Sequence, residues 1–147
     1  MDHMADQTYL LDFLVRLLRT HSPSGYTENA AQLVAREAER FGYIPHRSNK
    51  GNVIVPVKGR SSEKHVSMCA HIDTLGLMVR SVAEDGLLRF ARIGGPLLPT
   101  LDGEYCRIYT REGKVYTGTM LSLSPSVHVQ DDAATRPRDE KNMAVRI

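Results

Sequence analysis

The feature that most constrains this chain is that no helical pattern survives beyond Gly76. Before that point helical spacing runs to Phe41 and is followed by short strand-like runs, and after it apolar residues fall only in short runs separated by glycine-containing turns. Leu10, Phe13/Leu14, Leu17 and Leu18 lie on one face of a 3.6-residue repeat. His21-Ser22-Pro23-Ser24-Gly25 ends that helix, because proline and glycine cannot continue it. A second helix is predicted from an N-cap at Thr27 to Phe41, with Gly42 as its stop and Ala31, Val34, Ala35, Ala38 and Phe41 inward. Asn49–Asn52 reads as a turn into a strand at 53–57. Val66–Ala70 reads as a short strand buried on both faces. Helices mixed with such strands predict the start of an open α/β sheet.

Beyond Gly76 the pattern is all β. The runs 77–82 and 87–93 flank Glu84-Asp85-Gly86, and 105–110 and 114–121 flank Arg111-Glu112-Gly113. Both predict hairpins, and strands at this spacing predict a small β-barrel or sandwich. The charged stretch from Asp131 to Lys141 reads as a mobile loop. Met143, Val145 and Ile147 then alternate with Ala144 and Arg146 at strand period, so the chain reads as stopping inside a strand, as a fragment would. The expected division is residues 1–75 as an incomplete α/β part, 76–143 as the β-barrel, and 144–147 as the start of a strand returning to the first part.

Composition narrows the function. The 147 residues carry 19 Lys plus Arg against 17 Asp plus Glu, too even a balance for a nucleic-acid partner. The apolar stretch at 9–18 is interrupted by Asp12 and Arg16 and is too short to span a membrane. Two distant cysteines, Cys69 and Cys106, form no disulfide framework. A reducing compartment, the cytoplasm, is therefore expected. Cys69, inside an apolar run, reads as a buried and inert thiol.

The chemistry concentrates at His71-Ile72-Asp73, delivered by the run 66–70. Alternate residues of a strand share a face, so His71 and Asp73 are expected to point the same way. A neutral imidazole is a zinc or cobalt ligand, and a nearby carboxylate holds its other ring N–H. The plainer alternative is a strand-end histidine bonded to an aspartate without metal. A catalytic zinc takes about three protein ligands. His65 lies six residues from His71, about 20 Å along an extended strand, and His46 and His128 sit in other elements. Asp131-Asp132 and Asp139-Glu140 read as solvated charge. The 147 residues therefore offer no closed metal site. Ser22-Pro23-Ser24-Gly25 lacks the G-x-S-x-G pattern of a nucleophile elbow. Tyr105, Tyr109 and Tyr116 read as core or interface residues.

The order of segments resembles the N-terminal part of the M42 family of metallo-aminopeptidases, which includes glutamyl and deblocking aminopeptidases and proteins labelled cellulase M. The residues that carry the resemblance are Ser22-Pro23-Ser24-Gly25, Gly51-Asn52-Val53, Ala70-His71-Ile72-Asp73-Thr74-Leu75-Gly76-Leu77-Met78-Val79 and the β-rich stretch with Gly94-Gly95. It implies a zinc-peptidase-like α/β sheet domain with an inserted small β-barrel that builds dimers or larger homo-oligomers. It implies two divalent metal ions, zinc or cobalt, hydrolysing N-terminal residues from peptide substrates. In that family His71 corresponds to a metal ligand and Asp73 to the catalytic aspartate that supports it. The remaining ligands and the general-base glutamate follow the inserted domain, beyond Ile147, so the chain alone is expected to be inactive. An M20-type metallopeptidase also uses H-x-D, but its motif runs on toward tryptophan, and this chain has Trp 0. A non-catalytic β-barrel binding or assembly module is the alternative of a different class.

Overall fold

The structure, a computed structural model, describes residues 6–147. It is a mixed α/β chain that divides after Leu75 into two compact units.

The first unit opens with helix α1 (Gln7–Leu18), whose N-cap Asp6 accepts from the backbone N–H groups of Thr8 (3.0 Å) and Tyr9 (3.2 Å). Helix α2 (Glu28–Arg40) follows the Pro23 turn. It closes in a Schellman arrangement: Gly42 adopts φ 81°, Gly42 N–H bonds Glu39 C=O, and Tyr43 N–H bonds Ala38 C=O. Thr27 holds the N-cap position, as the sequence predicts, but its side chain makes no cap hydrogen bond.

The covered stripe of α1 differs from the expected one. Tyr9, Phe13, Arg16 and Leu17 are partly covered, whereas Leu10, Leu14 and Leu18 are exposed. The reason is the partner they meet. Tyr9 stacks beside Phe13 and sets its ring edge against Phe41 at 5.3 Å. Arg16 reaches the buried Glu37 of α2 at 3.2 Å, and Arg40 holds the other oxygen of Glu37 at 3.0 Å. A buried carboxylate must be paired, so this contact takes precedence over the leucine face. Strands β1 (His46–Arg47) and β2 (Val53–Ile54) form a short antiparallel hairpin, so the strand expected at 53–57 is only two residues long.

The expected buried strand at 66–70 is absent. Residues 65–73 have no regular secondary structure, and Val66 and Met68 are 92% and 98% exposed. A strand buried on both faces needs a neighbour on each edge to satisfy its backbone groups. Among the described residues, no strand pairs with this segment.

The second unit is a five-stranded antiparallel sheet. Its strands are β3 (Gly76–Val82), β4 (Leu88–Ile93), β5 (Tyr105–Tyr109), β6 (Val115–Ser122) and β7 (Met143–Arg146), in the order β3-β4-β7-β6-β5. Both expected hairpins are present, with a register shift between Val79 and Ser81. Two sequence expectations need correction here. Residues 144–147 do not leave this unit as a returning strand: Met143–Arg146 is the central strand, pairing Leu88 with Val145 on one side and Met120 with Val145 on the other. Nor do the ladders close into a barrel, because β3 and β5 remain edges among the described residues.

The core lies on one face, where Leu88, Phe90, Leu98, Met120, Met143 and Val145 are buried. Leu98 arrives from a short 3-10 helix, Leu98–Leu101. Side chains of both neighbouring strands converge on Gly118 of β6. A Cβ there would sit 2.7 Å from Val145 Cγ1 and 2.8 Å from Ile108 Cδ1, so only a residue without a side chain lets both neighbours converge.

The charged stretch from Asp131 to Lys141 is a series of pinned turns rather than a mobile loop. Arg138 bonds Asp102 Oδ2 at 2.9 Å and donates to the carbonyls of Ala133 and Arg136. Asp102 also accepts from Ser122 N–H. Glu140 Oε1 accepts from the Arg92 backbone N–H and guanidinium. These charges have partners that sequence distance conceals.

Two measurements follow from this packing. Gly118→Ala forces a Cβ against Val145 and Ile108 and should lower stability by about 1–3 kcal/mol, read as a lower urea midpoint. Hydrogen bonds from the Arg92 backbone and guanidinium hold Glu140 below its ordinary value of 4.5. Its stabilising contribution is therefore present above that value and is lost as pH falls through the lowered folded pKa. Glu140→Gln should make the acid limb of the stability profile, below about pH 4.5, shallower than in the parent chain.

Candidate functional site

The Pro23 turn and the His71-Ile72-Asp73 segment are about fifty residues apart in sequence and lie side by side in the first unit. Their backbones meet in an isolated parallel bridge between Pro23 and Thr74. Thr74 N–H donates to Ser22 C=O at 2.7 Å, and Ser22 Oγ donates to Ile72 C=O at 2.9 Å. Ser22 is 1% exposed, so it grips the segment on both sides of Asp73 from a buried position. The helix stop that proline and glycine impose on α1 is thus also the support for residues 72–74.

On this support His71 and Asp73 come together. His71 Nδ1 lies 3.2 Å from Asp73 Oδ1 and 3.2 Å from the Asp73 carbonyl oxygen. Both partners are acceptors, which suits a hydrogen on Nδ1, and that tautomer leaves the lone pair on Nε2. The second carboxylate oxygen, Oδ2, accepts from Ser24 Oγ. The Ser24 hydrogen bond is the main cause that lowers the Asp73 pKa. Desolvation opposes it, and the His71 contact adds to it. The carboxylate is therefore ionised at neutral pH. The His71 side chain is 86% exposed and that of Asp73 is 42% exposed, so the ring edge is open to an incoming ligand.

The shared direction of His71 and Asp73, expected from strand alternation, arises differently. A direct contact within an irregular segment places them together. Ser24 is the residue that sequence reasoning missed. Its partner is 49 positions away, and no local spacing signals such a pair.

The other candidates do not join this pair. His65 is exposed in the irregular segment, His46 lies on β1, and His128 sits in a turn of the second unit. Among the described residues, no three His, Cys, Asp or Glu side chains are grouped to hold a metal ion. Cys69 is exposed rather than buried, because the strand expected to enclose it does not form. Cys106 is partly buried against the core, and burial raises its thiol pKa. Both thiols are free. Tyr105 and Tyr116 are exposed rather than packed in the core. No helix among the described residues is long and apolar enough to cross a membrane.

Comparison with known proteins bears directly on this site. The sequence profile of the M42 glutamyl aminopeptidase family matches residues 51–147, which include His71 and Asp73. The putative aminopeptidase YhfE of Bacillus subtilis is 36% identical over 137 residues, covering 93% of this chain and 40% of YhfE. The crystal structure of a TET aminopeptidase from a marine-sediment thaumarchaeote superposes with TM-score 0.82 at 21% identity, over 97% of this chain and 39% of that one. The TET1 peptidase of Pyrococcus horikoshii, which can assemble into a tetrahedron or a large octahedral shell, gives TM-score 0.78 at 24% identity, over 93% of this chain and 40% of that one. The chain thus spans about 40% of the length of these relatives.

If the Pro23 turn supports the site, Ser22→Ala should cost about 1 kcal/mol locally, the worth of one lost hydrogen bond. Hydrogen exchange at the Thr74 amide should accelerate several-fold while the exchange of β4 and β6 stays unchanged.

Proposed function

The chain belongs to the M42 glutamyl aminopeptidase family, and from that premise we propose that it supplies part of the active site of a metal-dependent aminopeptidase that removes N-terminal residues from peptides. The observation that carries this reading is the state of His71. Its Nδ1 is committed to Asp73, which leaves Nε2 facing outward on a supported segment. Family membership in M42 also sets aside the M20 alternative.

The residues present fit one corner of a metal site. His71 offers one neutral nitrogen, which suits zinc or cobalt. Asp73 holds the ring in the tautomer that ligation requires and raises its basicity. When bound, a pair of such ions lowers the pKa of a water and polarises the scissile carbonyl. The described residues complete no such site, so we propose that residues 1–147 are inactive alone and act within a longer protein. The zinc-peptidase-like α/β part carrying the second unit as an inserted β domain belongs to the same proposal. So do a homo-oligomeric state, supported by the shells of the Pyrococcus neighbour, and a cytoplasmic setting, supported by two free thiols.

The test joins residues 1–147 to the part of YhfE that follows its matched segment. With zinc or cobalt, the chimera should hydrolyse peptides from their N-termini, and residues 1–147 alone should not. An inactive, folded chimera would remove the reading, and activity of the short chain alone would show that the ligand set is wrong. Within the chimera, His71→Ala should lower the bound-metal count, and Asp73→Asn should weaken metal binding by about 10–100-fold.

A further inference from the structure

We propose that Ser24 is a positioning residue for the His71–Asp73 pair: its hydroxyl fixes the rotation of the Asp73 carboxylate and so sets which nitrogen of His71 faces outward. This rests on the reading of His71 as a metal ligand, but its first consequence is measurable without metal.

His71 Nδ1 faces two acceptors at 3.2 Å, the Asp73 carbonyl oxygen, which the backbone places, and Asp73 Oδ1, whose position the carboxylate rotation decides and which is the one open to control by Ser24. The Asp73 carboxylate has two oxygens with separate partners, Oδ2 with the Ser24 hydroxyl and Oδ1 with His71 Nδ1. An ionised carboxylate only accepts, so Ser24 must be the donor. The terminal torsion of an aspartate is broad and close to two-fold, and one hydrogen bond cannot define it at a part-exposed position. With both oxygens engaged the plane is set. The backbone on either side is already immobilised by Ser22, through Ile72 C=O and Thr74 N–H. The one freedom left at Asp73 is therefore its side chain, and Ser24 is the group that removes it. Pro23 lies between the two serines and bridges Thr74, so one rigid turn delivers both contacts. Ser24 itself is exposed, which makes its replacement compatible with folding.

The experiment uses the 147-residue chain labelled with 15N-histidine, metal-free at pH 8, with the His71 signals assigned through His71→Ala. Long-range 15N–1H correlation should show His71 mainly as the Nδ1–H tautomer. Ser24→Ala should move it toward the Nε2–H form with no change in the thermal midpoint, and Ser24→Thr, which keeps the hydroxyl, should restore the parent pattern. In the chimera with YhfE, Ser24→Ala should weaken zinc binding about tenfold against a chromophoric chelator. An Nε2–H parent, an unchanged tautomer in Ser24→Ala, or a tautomer change accompanied by loss of the fold would each overturn the proposal. A responsive tautomer in a chimera that binds no zinc would uphold the positioning role and remove the metal reading instead.

Discussion

The second unit depends on one short strand arriving between two hairpins. β3-β4 and β5-β6 are each local, and an isolated hairpin in water is at best marginally stable. Met143–Arg146 pairs with both and drives Met143 and Val145 into the core beside Leu88, Phe90 and Met120. Its position is prepared by the turns before it, where Arg138 is held by Asp102 and Glu140 by Arg92. Exposed ion pairs contribute little individually. Here their effect is to fix the path of a chain that must enter a sheet at its centre.

The first unit has a corresponding device on a smaller scale. Two serines around Pro23 hold a segment fifty residues further along, and the segment then holds its own histidine and aspartate in contact. This division of labour suits a metal ligand. The imidazole stays open to solvent while its rear nitrogen, the carboxylate behind it and the backbone beneath it are all engaged. A ligating histidine is useful only in one tautomer, and the tautomer is set by what its other nitrogen meets.

Much of this was legible in the chain of residues. The helix ends at the Pro23 turn and at Gly42, the hairpin turns at Gly86 and Gly113, and the boundary at Gly76 follow from local chemistry, and the structure has elements at those places. The H-x-D tripeptide was legible for the same reason, since its histidine and aspartate are neighbours. Val66–Ala70 was misread because a continuous apolar run specifies a buried strand only where other strands enclose it. The leucine face of α1 was misread because periodicity shows that a stripe exists, not which of two overlapping stripes finds a partner. Asp102 and Glu140 carry no local sign of the arginines they bind, and Glu37 carries none of Arg16.

By itself, the sequence determined the period of each segment, the places where regular structure stops, and the pairing of a histidine with an aspartate two residues on. All of these act within a few residues, where backbone sterics and hydrogen-bond geometry leave few choices. Only the tertiary structure decided that residues 143–146 stand at the centre of the sheet, that Gly118 must leave room for Ile108 and Val145, and that Ser24 completes the surroundings of Asp73. Each of those depends on groups distant in sequence meeting at contact distance, 57 positions apart for Leu88 and Val145, 27 for Gly118 and Val145, and 49 for Ser24 and Asp73. A one-dimensional pattern holds no record of which distant groups will meet.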